Sequence, residues 1–262
     1  MIVADRKPID EIIGYLKDHK NILVLGCNEC VTVCEAGGKK EVGVLASALR
    51  MHAKKEGNEV KIDEVTLERQ CDREYLDEIR DSIDQYDAVV SLACGVGVQF
   101  MSEQYHSTPV YPGVNTCFMG ATEKRGLWTE RCQGCGQCIL ATTGGICPVA
   151  RCAKRLFNGP CGGSTTGRCE INAEVDCAWQ LIIDRLQALD RLDEYEKLCP
   201  LKDWSTDRAG GPRKVVREDV QQRQQRHRAN WKRYSGKGTW PLRPSAVRPA
   251  AAIPSISLKK AS

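Results

Sequence analysis

No stretch of this 262-residue chain approaches the ~18 consecutive apolar residues that a membrane-spanning helix needs. Its opening, MIVADRKPID, has neither the apolar core nor the small-residue cleavage site of an export signal, so a cytoplasmic location is expected. Histidine and phenylalanine are scarce, with 4 and 3 residues. His52, His106 and His227 have no ligand partners at short spacing, which argues against a histidine-based metal site. No Ser-His-Asp set, paired carboxylates or Walker pattern is visible. Gly95 and Gly97 follow an apolar run, but Phe100 stands where the third glycine of a dinucleotide loop belongs, and no acid follows at the ribose distance. The chain thus lacks the groups for most self-contained acid–base or nucleotide chemistry.

What it has instead is cysteine: 15, an odd number. In a compartment that keeps thiols reduced, clustered cysteines point to metal ligation or redox chemistry rather than to disulfides. Hydrophobic residues at 42% and charged residues at 27% exclude a wholly disordered chain. The net charge of +4 conceals an asymmetry: residues 200–262 carry 15 Lys+Arg against 4 Asp+Glu, whereas the rest carries 23 against 30. A mildly acidic body ends in a basic tail.

Residues 1–120 alternate helical and strand patterns. Ile9, Ile12, Ile13 and Leu16 share one helical face after Pro8, and NILVL (21–25) reads as a buried strand. A helix over 42–56, a strand over 60–67, a helix over 72–83, a strand over 88–93, a helix over 98–105 and a strand over 109–114 follow. Such alternation implies parallel strands with right-handed crossovers, hence a small flavodoxin-like α/β domain whose ligands sit at the carboxyl ends of the strands. Cys27, Cys71, Cys94 and Cys117 fall at the four strand ends. Residues 121–200 form the next expected domain, with 8 cysteines between 120 and 180, many glycines and little apolar periodicity before a helix over 176–195. Its core is too small to fold without metal. Residues 201–262 read as a basic, largely irregular tail.

The cysteines fall into three groups. Cys27, Cys30 and Cys34, in GCNECVTVC, can present three thiolates to one [4Fe-4S] cluster, with Cys94 as the first choice of fourth ligand and Cys71 as its rival. A structural zinc site or a thioredoxin-like C-x-x-C pair are the competing readings. Cys132, Cys135 and Cys138, in CQGCGQC, have ferredoxin spacing, and Cys147 precedes a proline as a fourth ligand often does, although nine residues on. Cys152, Cys161, Cys169 and Cys177 fit no generic spacing; with the second group they make eight thiols, enough for two four-thiolate sites whose pairing does not follow from chain order, and part of this group is an alternative zinc site. Cys199 is a spare thiol. In the tail, QQRQQRHRANWKRY mixes arginine with Trp231 and Tyr234, yet a solvated or partner-docking arm anchored by Trp231 and Trp240 is a better expectation than nucleic acid.

The run CPVARCAKRLFNGPCGGSTTGRCEINAEVDCAW (147–179), with LACGVGVQ, RQCDRE and GCNECVTVC upstream, resembles the MetV-type small subunit of methylenetetrahydrofolate reductase, which carries that reductase's C-terminal cysteine-rich domain. The likeness spans about residues 1–200 and leaves out the tail. It implies a non-catalytic electron-transfer subunit bearing [4Fe-4S] clusters, two by count and three as the alternative, in one-carbon metabolism of anaerobes. The implied partners are a flavin-bearing MetF-type subunit that performs the chemistry, and a donor: ferredoxin, a heterodisulfide-reductase-like complex or a nicotinamide enzyme. The alternative is a zinc-bound, non-redox scaffold that stabilises the reductase complex.

Overall fold

The computed structural model describes residues 1–197, 201–217 and 219–220. Residues Met1–Pro212 form one compact unit; Arg213–Ser262 form a second, which is described only at its start. His227, Trp231, Tyr234 and Trp240, and with them the expected docking arm, lie outside the described residues, as does Cys199.

Four short strands make a parallel sheet in the order β3 (Lys61–Leu67), β2 (Asn21–Cys27), β4 (Ala88–Ser91), β5 (Val110–Pro112). This is the order expected of a flavodoxin-like α/β unit. The alternation of side chains along β2 explains its two-sided burial. Ile22 and Val24 pack on one face with Ile12 and Leu16 of α1 (Ile9–Leu16) and with Val42, Ala46 and Leu49 of α3 (Lys39–Lys55). Leu23 and Leu25 pack on the other face with Leu76 of α4 (Arg73–Leu76), with Ile79 and Ile83 of two 3-10 turns, and with Met101 of α5 (Gly95–Gln104). Three layers result. The helix expected over 72–83 is broken into α4 and those two turns. Between β2 and α3, a single turn, α2 (Cys30–Val33), carries the first cysteine loop.

A second sheet was not foreseen. β1 (Ile2–Arg6) pairs antiparallel with β6 (Val114–Lys124), which pairs with β7 (Leu127–Cys132). Val3, Ala4 and Val114 join the core on the α1–α3 face. β6 runs across residue 120, and β7 delivers the chain to the CQGCGQC loop.

Beyond β7 regular structure is sparse: α6 (Pro148–Arg151), α7 (Ala178–Ala188) and α8 (Asp193–Glu196). Trp179, Ile182 and Leu186 of α7 make a small separate core with Cys177. From 130 to 176 the buried positions are only Thr143, Pro148, Val149, Gly159 and Ser164. No helix among the described residues is long and apolar enough to cross a membrane.

Candidate metal centres

The carboxyl edge of the parallel sheet gathers thiols from three chain segments. Cys27 ends β2 and is buried, Cys71 lies in the loop after β3, and Cys94 caps α5 after β4. Burial pushes the Cys27 thiol above its ordinary range, and negative charge on Cys71 and Cys94 would raise it further. Cys71 is exposed, yet partial desolvation raises its thiol too, with Cys94 adding to it. The three sulfurs therefore lie near enough that charge on one would be felt by the others. Cys30 opens α2 at the same edge and is half-buried.

The loop between β2 and α3 is tied down on several sides. The Cys27 N–H donates to the Gly37 carbonyl at 3.0 Å, and Thr32 Oγ1 donates to the Cys27 carbonyl at 2.7 Å. Gly37 lies so close to the Leu92 carbonyl that any Cβ would clash with it. Arg69 bridges to Glu29 at 3.2 Å, joining this loop to the one that bears Cys71. Under both loops lies Gln70, fully buried. Its Nε2 donates to the Leu25 and Gly26 carbonyls at 3.1 and 2.9 Å, and its Oε1 accepts from Ser91 Oγ at 2.6 Å. One amide thus cross-links the ends of β2 and β4 beside Cys71. Gly97 is glycine because a Cβ would press on Ala93 and Gln70, so this position serves helix packing.

Cys34 is placed differently. Its thiol is buried and donates to the Ala4 and Val31 carbonyls, both at 3.6 Å, toward β1. Cys117 does not end β5; it lies exposed in β6, with its thiol donating to Asp5 Oδ2 at 3.3 Å.

The second group leaves β7 on a loop. Gly134 and Gly136 have φ of +63° and +83°, a left-handed conformation that glycine adopts without strain. Cys132, Cys135, Cys138 and Cys147 are all exposed or half-buried. Residues 202–206 lie over this loop, just past the expected boundary at 200. Lys202 Nζ donates to the Cys135 and Gln137 carbonyls at 3.5 and 3.2 Å, and Thr206 Oγ1 donates to the Cys135 carbonyl at 2.9 Å. The Asp203 N–H donates to Gln137 Oε1 at 2.7 Å.

The third group converges. Cys152, Cys161, Cys169 and Cys177 all line one cavity of about 20 Å³, closed by Trp179 and Leu156. Glu170 accepts from the Cys161 thiol at 3.3 Å and pairs with Lys154. Irregular spacings hide this convergence in the sequence.

No disulfide joins the described cysteines. As the side chains stand, no three His, Cys, Asp or Glu groups among the described residues reach coordination distance of one ion. The donor chemistry nonetheless suits soft metals, because thiols dominate every cluster. Arg69 Nε, a buried donor without a partner, belongs to a guanidinium whose pKa is raised by Glu29 first and by Cys71 among lesser neighbours, as an anionic thiolate group beside it would favour. Sequence reasoning missed Arg69, Gln70 and Lys202, since nothing but tertiary proximity marks them.

Residues 111–205, 95 of the 262, match a family model described as methylene-tetrahydrofolate reductase C terminal. The match contains the second and third cysteine groups and Lys202. No curated protein and no solved structure matches the chain.

Proposed function

We propose that this chain is an iron–sulfur electron-transfer subunit serving a flavin-bearing methylenetetrahydrofolate reductase subunit. The observation that carries the reading is the convergence of Cys27, Cys71 and Cys94 from separate segments on one sheet edge, where α/β folds hold ligands. Core packing has no need of three thiols from separate segments at that place. The family match over 111–205 supports the link to the reductase and to one-carbon metabolism.

In this reading Cys27, Cys30, Cys71 and Cys94 hold one [4Fe-4S] cluster, and Cys71 takes the fourth place because Cys34 is engaged with β1. Cys132, Cys135, Cys138 and Cys147 hold a second. The third group fits a different occupant. Four thiols that line one small cavity suit a tetrahedral zinc ion, so in this reading Cys152, Cys161, Cys169 and Cys177 take zinc as a structural centre. When bound, the clusters supply one-electron relay chemistry. The chain's own residues do the rest. Arg69 places positive charge beside Cys71, Gln70 fixes the strand ends, and the positive-φ glycines of the second loop bring backbone amides near the sulfurs. Hydride transfer to the carbon substrate belongs to the flavin partner.

The test is reduction of the partner's flavin. Under anaerobic conditions, reduced ferredoxin should bleach the flavin of a purified MetF-type subunit only when this chain is present. Bleaching that is independent of the chain would leave the scaffold reading, in which the chain only stabilises its partner through zinc.

A further inference from the structure

Lys202 is nine-tenths buried, at 9% exposure, and forms no salt bridge among the described residues. Its ammonium meets two backbone carbonyls, those of Cys135 and Gln137, and lies 5.2 Å from the Trp204 ring centre. The Asp203 carboxylate feels this charge, but both groups that the ammonium hydrogen-bonds are neutral, and a buried cation is normally paired more closely with an anion. The carbonyls it touches belong to the loop that carries Cys132, Cys135 and Cys138.

We propose that Lys202 is the counter-charge of the thiolate group held by this loop, and that it sets the ease with which that group accepts an electron. This rests on the reading of Cys132, Cys135, Cys138 and Cys147 as cluster ligands. A four-thiolate cubane is already anionic, and one-electron reduction adds a further negative charge. A fixed ammonium nearby stabilises the reduced form and raises the potential. The surrounding strap holds the ammonium in place. Thr206 and Asp203 bond to the same loop, and Gly136 is pressed so closely by Thr206 that a side chain there would clash. Lys202 acts as a positioning residue, through charge and through the carbonyls of the ligand loop, and exchanges no electron itself.

The test uses the full chain, loaded anaerobically with iron and sulfide, as native protein and as Lys202→Gln, Lys202→Arg and Cys135→Ala. The midpoint potential is read by dithionite titration of the spectroscopic signal that Cys135→Ala removes. Lys202→Gln keeps donors for the carbonyls but loses the charge. Its reduction equilibrium is expected to fall about tenfold, a shift of 59 mV for one electron to more negative potential, with iron content unchanged. Lys202→Arg is expected to stay near the native value. Iron loss confined to Lys202→Gln also supports the proposal, since the charge is then needed to hold the anionic group. A native midpoint in Lys202→Gln, or iron loss from both Lys202 variants, overturns it in favour of a merely structural clasp. Full iron in Cys135→Ala overturns the ligand assignment itself, a failure distinct from that of Lys202.

Discussion

The parallel sheet and the cysteine-rich segment hold sulfur by opposite means. Around the sheet, apolar side chains fill both faces: ten of the twelve largest fully buried side chains lie before residue 110, and nine of those ten are apolar. From 130 to 176 one aliphatic side chain, Val149, is buried together with Pro148, while Ile171 and Val175 are left at 64% and 46% exposure. The sheet is a scaffold that carries thiols at its edge. The segment, by contrast, has little apart from its thiols to fold around. A cysteine lost from the sheet edge should therefore cost a cofactor, and one lost from the third group should cost the local fold.

The largest expected effect follows from removing metal. Structural metal ligation contributes ~10–16 kcal/mol in small thiolate sites. Stripping it should leave the amides of 130–178 unprotected against hydrogen exchange, while β2 and β4 stay protected. Protection throughout the segment in metal-free protein would erase the contrast.

A core truncation should give the opposite pattern. Leu25 is fully buried between the layers, so Leu25→Ala is expected to cost about 2–5 kcal/mol in urea unfolding of metal-free protein. Val149→Ala should cost close to nothing under the same conditions, because the segment around it is already open. Equal losses would mean that both regions share one core.

The smallest effect is a pH dependence of the metal-free sheet. Desolvation pushes the buried Cys27 and Cys34 thiols, and the more exposed Cys71, above their ordinary range. The folded chain then keeps protons that the unfolded chain releases. This stabilisation is full below the unfolded thiol pKa and is lost as pH rises through the folded values. The urea midpoint should decline from about pH 8 to about pH 10, and less so in Cys34→Ser. A midpoint that rises over this range contradicts the raised thiol pKa values.

Much of the sheet was legible in the sequence, because β2 and β4 are short apolar runs and β3, KIDEVTL, lies between helical periods. β1 and the β6–β7 hairpin were not. β1 is five residues at the chain's start, and β6 is mostly exposed, so neither shows a clear burial period. That omission has a consequence at the site. The spacing of Cys27, Cys30 and Cys34 suggests one ligand set, yet β1 supplies the Ala4 carbonyl that engages the Cys34 thiol. Spacing within a loop reports how near sulfurs lie along the chain, and the neighbouring element decides where each one points. The third group shows the converse, with uninformative spacings and one shared cavity.

The central claim, that sheet-edge and loop thiols carry iron while the third group carries a single ion, is tested most directly by counting atoms. Iron, acid-labile sulfide and zinc should be measured per chain in anaerobically purified protein, native and with Cys71→Ala or Cys34→Ala. The account predicts about eight irons, about eight sulfides and about one zinc in the native chain, from two cubanes and one tetrahedral site. Cys71→Ala should lose about four irons, and Cys34→Ala none. Zinc without iron, or iron lost with Cys34 and kept without Cys71, would contradict it.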